Sequence, residues 1–130
     1  MFSHFRLRHI PALLIASTTT FGGMWPLFFS ARSAMLEFGL PERIANTADA
    51  APVFIVGNAR TTVIGLLTFL FYSRRQLDVV DTIMAVTGLY CGLVDSYVVW
   101  REGNASYAVF RLISSGLISA WGVMGMTAGR

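Results

Sequence analysis

The chain contains no lysine; all ten of its basic residues are arginine. It therefore offers no side-chain amine nucleophile, which argues against Schiff-base chemistry. Cysteine occurs once, at Cys91, so no internal disulfide can form, and its apolar neighbourhood suits a small buried hydrophobe better than a reactive thiol. Charge is scarce as well: 13% of the residues are charged, about half the share of an ordinary soluble domain. The net charge of +3 is too small and too dispersed for a nucleic-acid footprint. No Ser-His-Asp or Cys-His arrangement is present to suggest nucleophilic catalysis. His4 and His9 stand five residues apart without a thiol or carboxylate cluster, so no metal site is expected. Gly22 and Gly23 lie inside an apolar run and resemble no phosphate-binding loop, and Trp121 and the methionines fit packing, so no cofactor is expected either. There is no internal repeat or low-complexity tract.

What the sequence has in abundance is apolar surface. Hydrophobic residues make up 55% of 130, with a mean hydropathy of +0.60. A globule of this size still exposes about a third of its unfolded surface, too much to hide such a composition from water. The lipid bilayer is therefore the expected solvent and first partner. A crossing helix needs about 20 predominantly apolar residues. Four windows qualify, about 10–36, 53–72, 79–100 and 107–127, and they predict an all-α integral membrane four-helix bundle forming one domain over 1–130. The first span carries Pro26 and is expected to kink there. Its Arg6 and Arg8 flank and an Ala-Arg-Ser-Ala stretch at 31–34 have some likeness to a signal peptide, but the apolar run is long and contains a proline, so it is expected to be retained. Short turns at 73–78 and 101–106 make the last three spans antiparallel neighbours. Arg6, Arg8, Arg74, Arg75 and Arg130 fall on one side, against Arg32, Arg43 and Arg101 on the other, which places both termini in the cytoplasm.

Charges inside a span cost at least about 2.5 kcal/mol each on insertion scales and commonly mark function. Arg60, Asp95 and Arg111 lie roughly 10, 8 and 6 Å into spans two, three and four at 1.5 Å per residue, all toward the same leaflet, with Asn58 at similar depth. In span three Asp81, Gly88 and Asp95 recur every seven residues beside Ala85 and Gly92, a face with little bulk along which helices can approach. An Arg60–Asp95 pair would leave Arg111 unspent and the pocket net positive. Such a pocket suits a carboxylate, a phosphate or the carbonyl or enolate oxygen of a lipophilic small molecule, with Asp95 and Arg60 as the catalytic candidates and Arg111 and Asn58 as substrate-binding ones. The same charges can equally lock helices together without chemistry. Asp81, a few residues inside the opposite boundary, reads as an interface residue. Surplus glycine and serine on spans three and four suggest a homodimer.

The order of these features, with Phe38-Gly39-Leu40-Pro41 after the first span, Gly57-Asn58-Ala59-Arg60 opening the second, Asp95 then Arg101 and Gly103 closing the third, and Arg111 near the start of the fourth, resembles an uncharacterised family of small four-span membrane proteins common in filamentous fungi. The resemblance implies a context rather than a mechanism: membrane-embedded tailoring, of the cyclase, isomerase or oxygenase kind, of a polyketide or terpenoid intermediate in natural-product biosynthesis, with the endoplasmic reticulum as the expected membrane. The competing expectation is a non-catalytic scaffold, chaperone or carrier subunit.

Overall fold

A computed structural model describes residues 3–130, and among them the chain is all-α. A 3₁₀ turn at Leu7–His9 leads into α1 (Ile10–Phe28), followed by α2 (Ala31–Phe38), α3 (Glu42–Ala45), α4 (Ala50–Ser73), α5 (Leu77–Glu102) and α6 (Ala105–Val123). Two of these, α4 and α5, are long and apolar enough to cross a membrane. Only 11% of the most apolar stretch of α4 and 28% of that of α5 is buried inside the molecule, so their hydrophobic side chains point outward.

The expected first span is two helices. Pro26 lies buried within α1 and does not end it; the chain leaves helical geometry at Phe29 (φ −124°, ψ −98°). Ser30 then restarts it, extended, with its Oγ accepting from the Ser33 amide at 3.1 Å. The kink expected at Pro26 is thus a break three residues later, where Ser30 caps the start of α2. α2 stops at Gly39, whose φ of +109° only glycine adopts without strain. Within α1, Ser17, Thr18 and Thr19 return their hydroxyls to carbonyls one turn back, at 2.8, 3.1 and 2.7 Å, so polar side chains are satisfied on an apolar helix. The last expected span ends early: α6 closes at Val123, and Gly125 (φ +64°) and Gly129 (φ +81°) curl the remaining residues into a tail.

Packing is pairwise, α1 on α4 and α5 on α6, with lighter contact between the pairs. Small residues set both seams. A Cβ on Gly65 of α4 would meet the Thr20 backbone nitrogen at 2.6 Å, and one on Gly88 of α5 would meet Ser115 O and Ser119 N, both at 2.7 Å. Side-chain hydroxyls cross these seams, Thr62 Oγ1 to the Thr20 carbonyl at 3.1 Å and Ser119 Oγ to the Ala85 carbonyl at 2.9 Å. Buried side chains gather at the two ends. At one end Ala12, Tyr72, Val80 and Met84 join α1, α4 and α5, with Ile118 and Trp121 of α6 against them. At the other, Met35 is buried and Gly39 fits against Val99 and Tyr107, so α2 seals the α5–α6 turn.

The seams predict opposite signs for one substitution. Gly88→Ala drives a methyl into backbone and should lower the thermal midpoint of the purified protein. Gly57→Ala, where a Cβ meets nothing within 4 Å, should raise stability or leave it unchanged, by up to about 1 kcal/mol.

Candidate functional site

The end of the molecule formed by α2 and the α5–α6 turn holds the charged residues singled out from sequence. Arg111 reaches from α6 to the C-terminus of α2, where its Nε donates to the Phe38 carbonyl at 2.7 Å and its guanidinium lies over the Phe38 ring, 3.7 Å from the centroid. A cation on the last carbonyls of a helix also opposes its dipole. Phe38 is fixed in turn by an edge-on contact with Phe54 of α4, centroids 5.7 Å apart at 85°. Asp95, half-buried on α5, lies within electrostatic reach of Arg111. Among the described residues it accepts no hydrogen bond and forms no ion pair.

Arg60 and Asn58 lie on α4 and take other partners. Arg60 is exposed, and its Nη1 donates to the Val56 carbonyl of its own helix at 2.7 Å, one turn nearer the helix start. This is the back-reaching posture of a long cation on an apolar helix. No Arg60–Asp95 ion pair occurs among the described residues. Asn58 Nδ2 donates to the Phe54 carbonyl at 3.0 Å. The structure therefore brings Asp95 and Arg111 together and leaves Arg60 and Asn58 apart from them. Along the α5–α6 seam runs an outward-facing apolar groove of about 330 Å³, lined by Gly88, Leu89, Gly92, Leu93, Leu112 and Gly116 among others. Asp95 and Arg111 stand on the same two helices, two residues beyond Leu93 and one before Leu112, and do not themselves line the groove.

The opposite end holds a polar cluster that the sequence reading passed over. Asp81, read there as an interface residue, has 0% exposure. Its carboxylate accepts from the amides of Thr127 and Ala128, at 3.1 and 2.8 Å. Arg8 donates to the carbonyls of the same two residues, each at 3.3 Å, so the tail is held between an acid on α5 and a base before α1. Thr127 Oγ1 also accepts from Trp121 Nε1 at 3.2 Å. Beside this, His9 is 1% exposed and its Nδ1 lies 2.9 Å from the Tyr72 hydroxyl. Gly125 and Gly129, which let the tail curl, were the available sequence signal for this arrangement. No group of three or more metal-ligating side chains occurs among the described residues.

A family model described as Domain of unknown function (DUF4267) matches residues 16–125 of the chain. No curated protein and no solved structure matches it.

Removing half of the Asp81 arrangement should be costly. Asp81→Asn replaces one acceptor oxygen with a donor, leaving a tail amide facing an N–H in a buried site. A loss of about 1–3 kcal/mol is expected, measured as a lower unfolding midpoint in detergent with the far-ultraviolet helix signal retained below it.

Proposed function

The chain belongs to the DUF4267 family, and we propose that it is a small integral membrane protein that binds a lipophilic, oxygen-bearing molecule along the α5–α6 groove and acts on it at Asp95 and Arg111. In this reading α1, α4, α5 and α6 cross the bilayer of the endoplasmic reticulum, and the arginine distribution puts both termini in the cytoplasm. The supporting lengths are about 28 Å for the 19-residue helices α1 and α6, against roughly 30 Å of hydrocarbon.

The observation that carries the reading is Asp95: a carboxylate on an apolar helix, next to a guanidinium, with no hydrogen-bond or ion-pair partner among the described residues. Arg111 spends Nε on Phe38, which aims the side chain and leaves its terminal nitrogens for a ligand oxygen. Asp95 would then give or take the proton while Arg111 stabilises charge on that oxygen. The open, apolar groove provides access from the acyl-chain region, the route a polyketide or terpenoid intermediate would use in a cyclase, isomerase or oxygenase-like tailoring step. Arg60, turned onto its own helix, has no direct part in this arrangement.

A second reading takes the Arg111–Phe38 contact as the whole purpose of that arginine, a lock between α6 and α2 in a non-catalytic scaffold, chaperone or carrier subunit.

The two readings part on Asp95→Asn in the source organism, with metabolites profiled and protein abundance measured beside a deletion strain. The catalytic reading expects near-normal abundance and accumulation of the deletion strain's intermediate, turnover falling by about 100-fold or more. A metabolite profile that tracks abundance alone, or never changes, leaves the lock.

A further inference from the structure

His9 occupies an uncommon position for a histidine. It is 1% exposed, and its Nδ1 faces two donors, the Arg6 backbone N–H at 3.2 Å and the Tyr72 hydroxyl at 2.9 Å. An amide nitrogen can only donate, so Nδ1 must be the lone-pair nitrogen and the ring must be neutral with its proton on Nε2. Nε2 in turn is buried and has no hydrogen-bond partner among the described residues. Protonating Nδ1 would turn an acceptor for the Arg6 amide into a second donor pointing at it, inside a site that gives the new charge no acceptor.

The surrounding charges oppose that protonation. From its own segment the ring is faced by His4, Arg6 and Arg8, from α4 by Tyr72, and from α5 by Asp81. Asp81 is the one anion among these, and its carboxylate already accepts two tail amides. From the tail, Arg130 is engaged with Asp78 at 3.2 Å. His9 is also mechanically central. The residue before it, Arg8, grips the Thr127 and Ala128 carbonyls, and its own ring packs edge-on to Tyr72 with centroids 5.3 Å apart. One imidazole thus ties the segment before α1 both to the end of α4 and, through Arg8, to the tail.

We propose that His9 is an acid-operated latch: neutral, it clamps residues 3–9 and the 124–130 tail onto the end of the bundle, and protonated, it releases them. The direction of the titration agrees. Burial, then the Arg8, His4 and Arg6 charges, hold the His9 pKa below its ordinary 6.5, against a smaller opposing pull from Asp81. The closed arrangement is therefore fully stable above about pH 6.5, where the released ring is neutral too, and weakens as the pH falls from there toward the lower value of the closed form. This inference is independent of the Asp95 reading, which concerns the other end of the molecule.

The test is hydrogen–deuterium exchange of the full chain in lipid nanodiscs between pH 7.5 and pH 5.0, with rates corrected for the intrinsic pH dependence of exchange. The amides of residues 6–10 and 125–130 should exchange at least tenfold faster at the acid end while those of mid-α5 do not change. His9→Asn keeps a neutral acceptor near the Nδ1 position and should remove the acid response. His4→Gln, which changes the neighbouring ring alone, should keep it. Should His9→Asn not fold, Tyr72→Phe decides: losing a donor to the neutral ring moves the release midpoint to higher pH, and an unmoved midpoint overturns the latch. Protection of both segments that is equal at the two pH values, or an acid response that persists in His9→Asn, overturns it as well.

Discussion

The buried carboxylate of Asp81 is the interaction on which one end of the molecule depends. An ionised acid removed from water is tolerated only when its lone pairs are occupied, and here the donors come from backbone amides that the chain supplies from its last residues. That requirement reaches far along the sequence. It needs α6 to stop at Val123, glycines at 125 and 129 to take left-handed conformations, and Arg8 to neutralise the carbonyl side of the same peptides. The hydrophobic cluster of Ala12, Tyr72, Val80 and Met84 then closes beneath the polar cap. α1 and α6, distant in sequence, are thereby joined at a point where their lateral contact is slight.

Between its two tied ends the molecule is held by close approach rather than by a greasy core. Leu89, Tyr90, Leu117 and Val123 are each more than half exposed, whereas the seams are built of Gly, Ser and Thr. That inversion fits the bilayer setting proposed above: where the surroundings are as apolar as the side chains, burying leucine against leucine gains little, and close approach of backbones with a few crossing hydroxyl bonds does more of the holding. The α1–α4 and α5–α6 seams follow the same rule independently, each with glycine set against the backbone of a hydroxyl residue on the facing helix.

How much of this was legible from the residues depended on whether the signal was local. Helix identity and approximate bounds followed from apolar runs and turns, and α4 and α5 extend the expected spans by only a few residues at each end. The break at Phe29–Ser30 was harder to see, because Pro26 offered a more obvious cause of a bend and the polar Ser30 and Arg32 read as the end of one long span. The charged site was half legible. Depth along antiparallel helices correctly placed Asp95 and Arg111 at one level, but depth carries no azimuth, and Arg60 turned out to face away on α4. Phe38, which fixes Arg111 through its carbonyl and ring, left no trace in a pattern of charges. Asp81 and His9 were undervalued for a related reason: Asp81 accepts from backbone amides, His9 accepts from the Arg6 amide and meets the Tyr72 hydroxyl, and only Gly125 and Gly129 hinted at the tail that returns to them.

Asp81 and Asp95 lie fourteen residues apart on one helix, about 21 Å along its axis and within about 40° of the same face. They are therefore an internal comparison of what this fold does with an acid in an apolar setting. At position 81 it recruits two amides, excludes water and uses the result to fasten a tail. At position 95 it provides a nearby positive charge but assigns that guanidinium's Nε to Phe38, and among the described residues no donor reaches the carboxylate. A chain that can build the first arrangement is not short of ways to neutralise the second, so a helix lock alone is a poor account of Asp95. An acid on an apolar helix beside a cation, accepting no hydrogen bond among the described residues, is the feature on which the proposed binding role of Asp95 rests.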